Sequence, residues 1–316
     1  MEYRPLGNTG LRVSALAYGG SSLGSAFRSI DQAEGIRSVH AAVDLGINLI
    51  DTAPYYGATT AESVLGKALR GVSRDRYYLA TKVGRYGPEP ADFDFSAKRV
   101  TRSVDESLAR LGVDYVDFLQ VHDIEFGYLD QIVSETIPAL KGLKALGKTR
   151  FVGISGLPLV MFQRVLSRVE VDQVQSYCHF CLNDTSLADL LPELTSKQLA
   201  VFNSAPLAMR LLSDEGAPPW HPAPLALRAK CTEAAAHCRS RGENLSELAL
   251  QFSVSDGRIP TTIVGTANPA NVARNIQTIQ KPLNRELLAE VQAILAPVRN
   301  LTWHSGRPEN NALNQE

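Results

Sequence analysis

Short apolar runs alternate with longer amphipathic stretches along almost the whole chain. The runs are rich in β-branched residues, as buried strands are, and the stretches between them repeat apolar residues at helical spacing. Eight strands separated by helices predict an α/β fold whose parallel sheet is buried on both faces. The predicted strands cover residues 15–20, 47–53, 77–83, 115–122, 151–156, 171–177, 200–206 and 261–266.

Eight strand–helix units in 316 residues suit a closed (β/α)8 TIM barrel better than an open sheet. We therefore predict one barrel domain over residues 1–316, preceded by a β-hairpin that turns at residues 8–10 and followed by an extra C-terminal helix at 285–298. A long segment at 208–224 is typical of a lid or binding loop. Other helices are predicted at 32–45, 60–69, 96–111, 133–146 and 187–194.

The charge balance argues against a nucleic-acid or membrane partner. The chain carries 32 basic and 33 acidic residues, and it has no polybasic segment that could hold a phosphate backbone or a membrane surface. It has neither a signal-peptide pattern at its start nor a run of roughly 18 apolar residues. We expect a cytoplasmic protein that acts on a small molecule, as a monomer or a weak homo-oligomer.

Four cysteines raise the question of a metal or redox site. Cys178 and Cys181 form a CxxC, but Cys231 and Cys238 are seven positions apart in a helical pattern, which is not the spacing of a zinc site. A redox CxxC would stand at a helix N-terminus, whereas this one follows a strand-like run. We predict no metal site.

Polar residues stand at the ends of three successive predicted strands. Asp51 lies near the end of the second strand, Tyr56 follows it, Lys82 lies in the third and His122 ends the fourth. Barrel enzymes place their reacting groups at the C-terminal ends of strands, so these four side chains should meet in one mouth. Each alone could be a helix cap, a loop aromatic, a solvated charge or a core histidine. Together they include a charged pair at apolar strand ends, and such a pair needs partners.

These four side chains suggest proton transfer coupled to a redox step. A phenol titrates near 10, and an ammonium group within hydrogen-bond reach should lower that pKa. Asp51 would keep Lys82 charged and oriented, and His122 would hydrogen-bond the substrate oxygen. Hydride transfer to or from a carbonyl needs such a proton donor or acceptor, while a cofactor supplies the redox chemistry.

Three segments of the chain resemble motifs of a known family. The segments "DTAPYYG", "LATKVG" and "LQVHD" look like motifs of the aldo-keto reductases, whose barrel binds a nicotinamide cofactor without a glycine-rich Rossmann fingerprint. The resemblance makes Tyr56, which directly precedes the glycine, the general acid/base. Lys82 and Asp51 would assist it, and His122 would orient the substrate.

Longer segments narrow the resemblance. "GNTGLRVS", "FDFSAKRVTRSVDESL" and "RNLTWHSG" are similar to family members that oxidise an aldose, L-galactose foremost, at C1 to the lactone with NAD. Three alternatives stay open: another aldose such as L-fucose or D-arabinose, an NADP-linked reduction of aldehydes or ketones, and a cofactor-sensing subunit that binds a partner protein.

The resemblance also implies a cofactor site. Ser155 and Gln175 would bind the nicotinamide carboxamide, although Gly156 stands where the family often has Asn, and Ser204 where it commonly has a stacking aromatic. The implied cofactor contacts are Gly20, Ser21, Asp51, Ser155, Gln175, Ser204, Leu207, Gly265, Thr266, Asn271, Arg274 and Asn275.

The end of the last strand bears on the choice between NAD and NADP. Relatives that use NADP pair its 2′-phosphate with Lys or Arg there, because a dianion needs nearby charge. Gly265 and Asn271 are uncharged and favour NAD, while Arg274 keeps NADP open. Sugar sites combine aromatic faces with polar groups, and the candidates for such a site are Tyr56, Tyr86, His122, Asp123, Trp220 and Trp303.

Overall fold

A closed barrel of eight parallel strands forms the centre of the molecule, as predicted. The structure is a computed structural model that describes residues 1–25 and 29–311. The barrel strands are β3 (Leu16–Gly19), β4 (Leu49–Asp51), β5 (Tyr78–Val83), β6 (Val116–Val121), β7 (Thr149–Gly156), β8 (Gln173–Tyr177), β9 (Ala200–Ser204) and β10 (Thr261–Gly265). All eight coincide with predicted strands, and β10 closes the barrel by pairing with both β3 and β9.

The predicted hairpin precedes the barrel as β1 (Tyr3–Pro5) and β2 (Arg12–Ser14). Leu6, in the turn of this hairpin, is fully buried in one cluster with Phe118 and Phe202 of the barrel strands. The hairpin therefore covers the N-terminal end of the barrel with apolar side chains, which leaves the C-terminal end for polar ones.

Helices surround the barrel and bury their apolar faces against it. Ser96 caps one of them by accepting a hydrogen bond from Arg99 N, and Gly112 ends the same helix in the left-handed conformation. The helices are α1 (Gln32–Asp44), α2 (Thr60–Leu69), α3 (Ala97–Leu111), α4 (Leu129–Gln131), α5 (Ile137–Ala145), α6 (Leu159–Leu166), α7 (Leu187–Ser196), α8 (Leu225–Ser240), α9 (Leu245–Ser255), α10 (Pro269–Gln280) and α11 (Arg285–Leu295).

Two predicted helices differ in their bounds. The helix expected at 133–146 begins earlier, at α4, and a π-helical turn at Ile132–Thr136 joins α4 to α5. The extra C-terminal helix ends at Leu295 and continues as a 3-10 turn, Ala296–Val298. Such terminal turns carry helix periodicity, so the pattern alone overestimates the regular length.

The four cysteines are buried free thiols, and burial raises the pKa of Cys178 and Cys181 well above the usual thiol value. Within residues 1–25 and 29–311, no group of His, Cys, Asp and Glu side chains is arranged to hold a metal ion. Among the described helices, none has the length and apolar character that a membrane crossing requires.

Candidate active site

Asp51, Lys82 and Tyr56 meet at the C-terminal end of the barrel. Lys82 Nζ donates hydrogen bonds to both Asp51 carboxylate oxygens, at 2.8 and 2.7 Å, and to the main-chain oxygen of Thr52 at 2.8 Å. The Tyr56 hydroxyl lies 3.2 Å from the same nitrogen. Asp51 is on β4 and Lys82 on the adjacent β5, and the turn after β4 brings Tyr56 back over them.

The ion pair keeps Lys82 charged in a buried place. Burial alone lowers the pKa of Lys82, but the charge of Asp51 and the bonds to Asp51 and Tyr56 raise it above its ordinary value. The Lys82 side chain is only 1% exposed. A buried ammonium held by a carboxylate is a fixed positive charge beside the phenol.

The pKa of Tyr56 differs from the expectation. Burial raises it to about 12, and the charge of Lys82 only partly opposes that rise. The depth of burial and the nearby charges of Asp51 and Asp123 are tertiary properties, and together they outweigh the ammonium of Lys82. Tyr56 is therefore a neutral phenol at pH 7, and as a base it needs Lys82 to stabilise its phenolate.

His122 completes the group above β6. Its ring packs edge-on against Tyr56, with ring centroids 5.8 Å apart, and against Tyr55 at 5.9 Å. Burial lowers the pKa of His122 to about 3, against the opposing charge of Asp123. The imidazole is therefore neutral near pH 7 and can donate one N–H to a substrate oxygen.

Several of the expected cofactor residues line this same end of the barrel. Gln175 Nε2 lies 3.5 Å from Asp51 Oδ2, and Ser155 Oγ lies 3.4 Å from Asp123 N. Gln175 Oε1 and Ser204 Oγ are buried and find no hydrogen-bond partner among the described residues. Unpaired buried polar atoms are costly, and a carboxamide can supply both a donor and an acceptor, so these residues fit a nicotinamide.

The remaining cofactor candidates gather around the ends of β3 and β10. Gly265 is exposed, and a Cβ there would lie 3.0 Å from Ser21 Oγ, so glycine keeps this gap open. Asn268 caps α10 just beyond it, and Asn271 accepts a bond from the exposed Arg274 at 2.8 Å. Thr266, directly after β10, and Asn275, on α10, are half-buried, and so is Leu207 on the loop after β9. Gly20 is buried against the main-chain oxygen of Asp51.

Gly156 has a structural reason of its own. A Cβ at this position would lie 2.6 Å from Glu125 Oε2 and 3.3 Å from Ile124. The loop after β6 thus fills the space that a larger side chain at 156 would need.

The expected sugar-site residues divide into two groups. Asp123 lies beside His122, with Oδ2 3.7 Å from Nε2, and forms an ion pair with Arg85. Tyr86 points elsewhere: its hydroxyl accepts a bond from Gly84 N, and Arg99 of α3 lies 3.8 Å from its ring centroid.

The two tryptophans both pack against His221 at the rim of the barrel. Trp220, in the loop after β9, stacks on His221 with ring centroids 6.1 Å apart, and Trp303 approaches His221 edge-on at 5.0 Å. Trp220 is 57% exposed.

Tyr55, Arg85, Glu125 and Tyr177 lie near the site and were not among the candidates. Arg85 packs over the Tyr55 ring, 3.7 Å from its centroid, and Glu125 accepts a hydrogen bond from Tyr177 at 3.3 Å. The signal for Glu125 was present, since two carboxylates alternate with apolar residues directly after His122. Arg85 and Tyr177 carried no such signal.

Known proteins resemble the chain over nearly its full length. The model of the aldo/keto reductase family matches residues 15–296. L-galactose dehydrogenase of Arabidopsis thaliana is 50% identical and covers 98% of this chain and 99% of its own length. D-arabinose 1-dehydrogenase of Saccharomyces cerevisiae is 33% identical over 94% of this chain and 95% of its own.

A solved structure shares the fold. An aldo-keto reductase from Bacillus halodurans, in its holo form, superimposes with a TM-score of 0.77 at 28% identity, covering 99% of this chain and 100% of that one. Members of the family use nicotinamide cofactors. The chain belongs to the aldo-keto reductase family and is an oxidoreductase that acts on CH–OH groups.

Proposed function

We propose that the protein oxidises an aldose at C1 to its lactone, with L-galactose as the preferred sugar and NAD as the hydride acceptor. The observation that carries the choice of sugar is the 50% identity to a plant L-galactose dehydrogenase over almost the whole of both chains. The lactone formed would be L-galactono-1,4-lactone, an intermediate on the way to ascorbate. The expected cytoplasmic location and oligomeric state stay predictions.

In the proposed reaction the proton goes to Tyr56. The C1 hydroxyl of the ring form loses its proton to the phenolate of Tyr56, and the C1–H bond breaks with its electron pair, which leaves the lactone carbonyl. NAD, when bound, would accept that hydride. Lys82 stabilises the phenolate from 3.2 Å, and Asp51 fixes Lys82 through two short hydrogen bonds.

His122 would orient the sugar and would not exchange a proton with it. A neutral imidazole can donate a hydrogen bond to the C1 oxygen, while its low pKa keeps it from becoming charged above pH 4 or so. Ser155 and Gln175 would hold the carboxamide of the cofactor on the adjacent strands, since both stand at the ends of β7 and β8.

The preference for NAD rests on the charge around β10. Gly265 and Asn271 are neutral, and Arg274 is exposed and bonded to Asn271. A 2′-phosphate would meet the exposed guanidinium of Arg274 there, which is less than the paired charges that a dianion favours.

Initial rates test the proposal directly. The purified protein is mixed with L-galactose, L-fucose or D-arabinose and with NAD or NADP, and the absorbance of the reduced nicotinamide is followed. We expect the highest kcat/KM for L-galactose with NAD. Turnover of aldehydes with reduced NADP, and of no aldose, would contradict the proposal.

A second candidate is an aldose 1-dehydrogenase of other specificity. The yeast relative at 33% identity is a D-arabinose 1-dehydrogenase. If L-galactose is inactive in the same assay while D-arabinose or L-fucose reacts with NAD, this second function replaces the first and the proposed chemistry stands.

A further inference from the structure

Glu125 joins three parts of the barrel end through one carboxyl oxygen. The side chain follows β6 and is fully buried. Its Oε1 accepts hydrogen bonds from Ser305 Oγ at 2.9 Å, from Leu157 N at 3.2 Å and from the Tyr177 hydroxyl at 3.3 Å. The donors come from the C-terminal part of the chain, the end of β7 and the end of β8.

The main chain of Glu125 holds the same C-terminal part. Its carbonyl oxygen accepts from Arg307 N at 2.9 Å and from Asn310 Nδ2 at 2.8 Å. Gly306, at φ +72°, lies so close that a Cβ there would clash with this carbonyl. The chain is thus wrapped closely around Glu125.

We call residues 300–311 the C-terminal segment. Its start is bonded to the loop after β8, where Asn300 N donates to Asn183 O at 2.8 Å and Thr185 N donates to Asn300 Oδ1 at 2.9 Å. Trp303 then meets His221 of the loop after β9. The segment therefore crosses the rim from the loops after β8 and β9 to the loop after β6.

The second carboxyl oxygen of Glu125 has no hydrogen-bond partner in the part of the chain that the structure describes. Oε2 is buried and lies against Gly156. An ionised carboxylate with a bare buried oxygen would be costly, whereas an uncharged carboxyl can carry its proton on Oε2 and accept all three bonds on Oε1. Burial and the charge of Asp123 raise the pKa of Glu125 to about 8.

Few charges face Glu125 from the elements packed around it. Asp123, on the same loop, is paired with Arg85 from the end of β5. Tyr177 comes from β8, and its pKa is raised well above the phenol value by burial and by Glu125. From the C-terminal segment, the Arg307 side chain turns to Glu309 and the Tyr128 ring.

We propose that uncharged Glu125 is a positioning residue that docks the C-terminal segment on the rim and so holds Trp303 as one wall of the sugar site. When the segment leaves, water reaches Glu125 and its affinity for the proton falls. The docked state therefore binds the proton more tightly, and rising pH favours the open state. The part that concerns the sugar rests on the proposed function; the docking does not.

Amide hydrogen exchange of residues 300–311, without sugar, tests the docking. After correction for the intrinsic exchange rate, we expect protection in the wild type to fall at least about tenfold between pH 6 and pH 9, because one proton is released on opening. Glu125→Gln mimics the neutral acid and should keep its protection at pH 9, whereas Glu125→Ala should lose it at both pH values.

The kinetic measurement tests the role in the sugar site. Glu125→Ala should raise KM for the aldose severalfold and change kcat less, since the reacting groups stay in place. If Glu125→Ala fails to fold, Ser305→Ala tests the same contact. It removes one hydrogen bond between the segment and Glu125 and should also weaken the protection of the segment. Ser196→Ala is the matched control, because its hydroxyl bonds only within its own helix end.

Two results would overturn the proposal. If protection in Glu125→Gln falls with pH as it does in the wild type, the proton on Glu125 does not govern docking. If the segment opens as expected while KM is unchanged, the segment is no wall of the sugar site. Inactivity toward every aldose would instead count against the proposed function and leave the exchange result intact.

Discussion

Lys82 and Asp51 form a buried ion pair in which one ammonium group touches both carboxylate oxygens, at 2.7 and 2.8 Å. Their side chains are 1% and 3% exposed. Because neither charged group is solvated by water, each is stabilised mainly by the other. The pair therefore matters for the stability of the barrel and, in the proposed mechanism, for the chemistry at Tyr56.

Replacing Lys82 by Met should therefore lower both stability and activity. It leaves Asp51 as an unpaired buried carboxylate, at a cost of about 3 kcal/mol or more in the free energy of unfolding. The double variant Lys82→Met with Asp51→Asn should recover much of that loss and stay inactive. Urea unfolding and steady-state rates separate the two effects. Equal stability of the single variant and the wild type would contradict the pairing.

Tyr56→Phe should nearly abolish turnover and leave cofactor binding unchanged. General acid–base catalysis contributes about 10²- to 10⁴-fold, and the hydroxyl is the group placed to exchange the proton. The affinity for NAD can be measured by quenching of protein fluorescence. Tyr55→Phe is the matched control, because the hydrogen bonds of Lys82 go to Asp51, Thr52 and Tyr56 and not to the adjacent phenol. Sugar oxidation retained in Tyr56→Phe would remove Tyr56 from its role.

The rate of sugar oxidation should rise steadily with pH between about 6 and 9. Tyr56 must be deprotonated to accept the proton, and its pKa of about 12 makes the phenolate fraction grow about tenfold per pH unit over that range. His122 should add no inflection there, because its pKa is about 3. The measurement is log kcat/KM against pH in the wild type. A plateau that begins near pH 6 or 7 would contradict the raised pKa.

Gly156→Ala should destabilise the protein by about 1–3 kcal/mol through overpacking against Glu125 and Ile124. Gly142→Ala is its control, since Gly142 is exposed on α5 with nothing within 4 Å of a new Cβ, and it should be neutral or slightly stabilising. Thermal unfolding of both variants gives the comparison. If Gly156→Ala is as stable as the wild type, the loop after β6 can move away from the new Cβ at little cost in free energy.

The local pattern of the chain was sufficient for the barrel and for the placement of its reacting groups. Apolar runs mark strands, helical spacing marks what joins them, and parallel strands meet at their C-terminal ends. That is why Asp51, Lys82 and His122 could be assigned to one mouth from their positions alone. The choice of Tyr56 over Tyr55 came instead from the resemblance to the family motif, in which the tyrosine directly precedes the glycine.

Side-chain direction beyond a strand end could not be read in this way. Gly84 adopts φ +98° directly after β5, so the alternation of the strand no longer applies. Arg85 consequently faces Asp123 and Tyr55, while Tyr86 turns to α3.

The sequence by itself determined which residue types stand at the barrel mouth. Strand periodicity is a local property of the chain, and the C-terminal ends of the strands form the mouth in every (β/α)8 barrel. Tertiary structure alone decided their energies and their distant partners. The pKa of Tyr56 depends on how deeply the finished fold buries it. Ser305 meets Glu125 across 180 positions of the chain, a contact that no local pattern encodes.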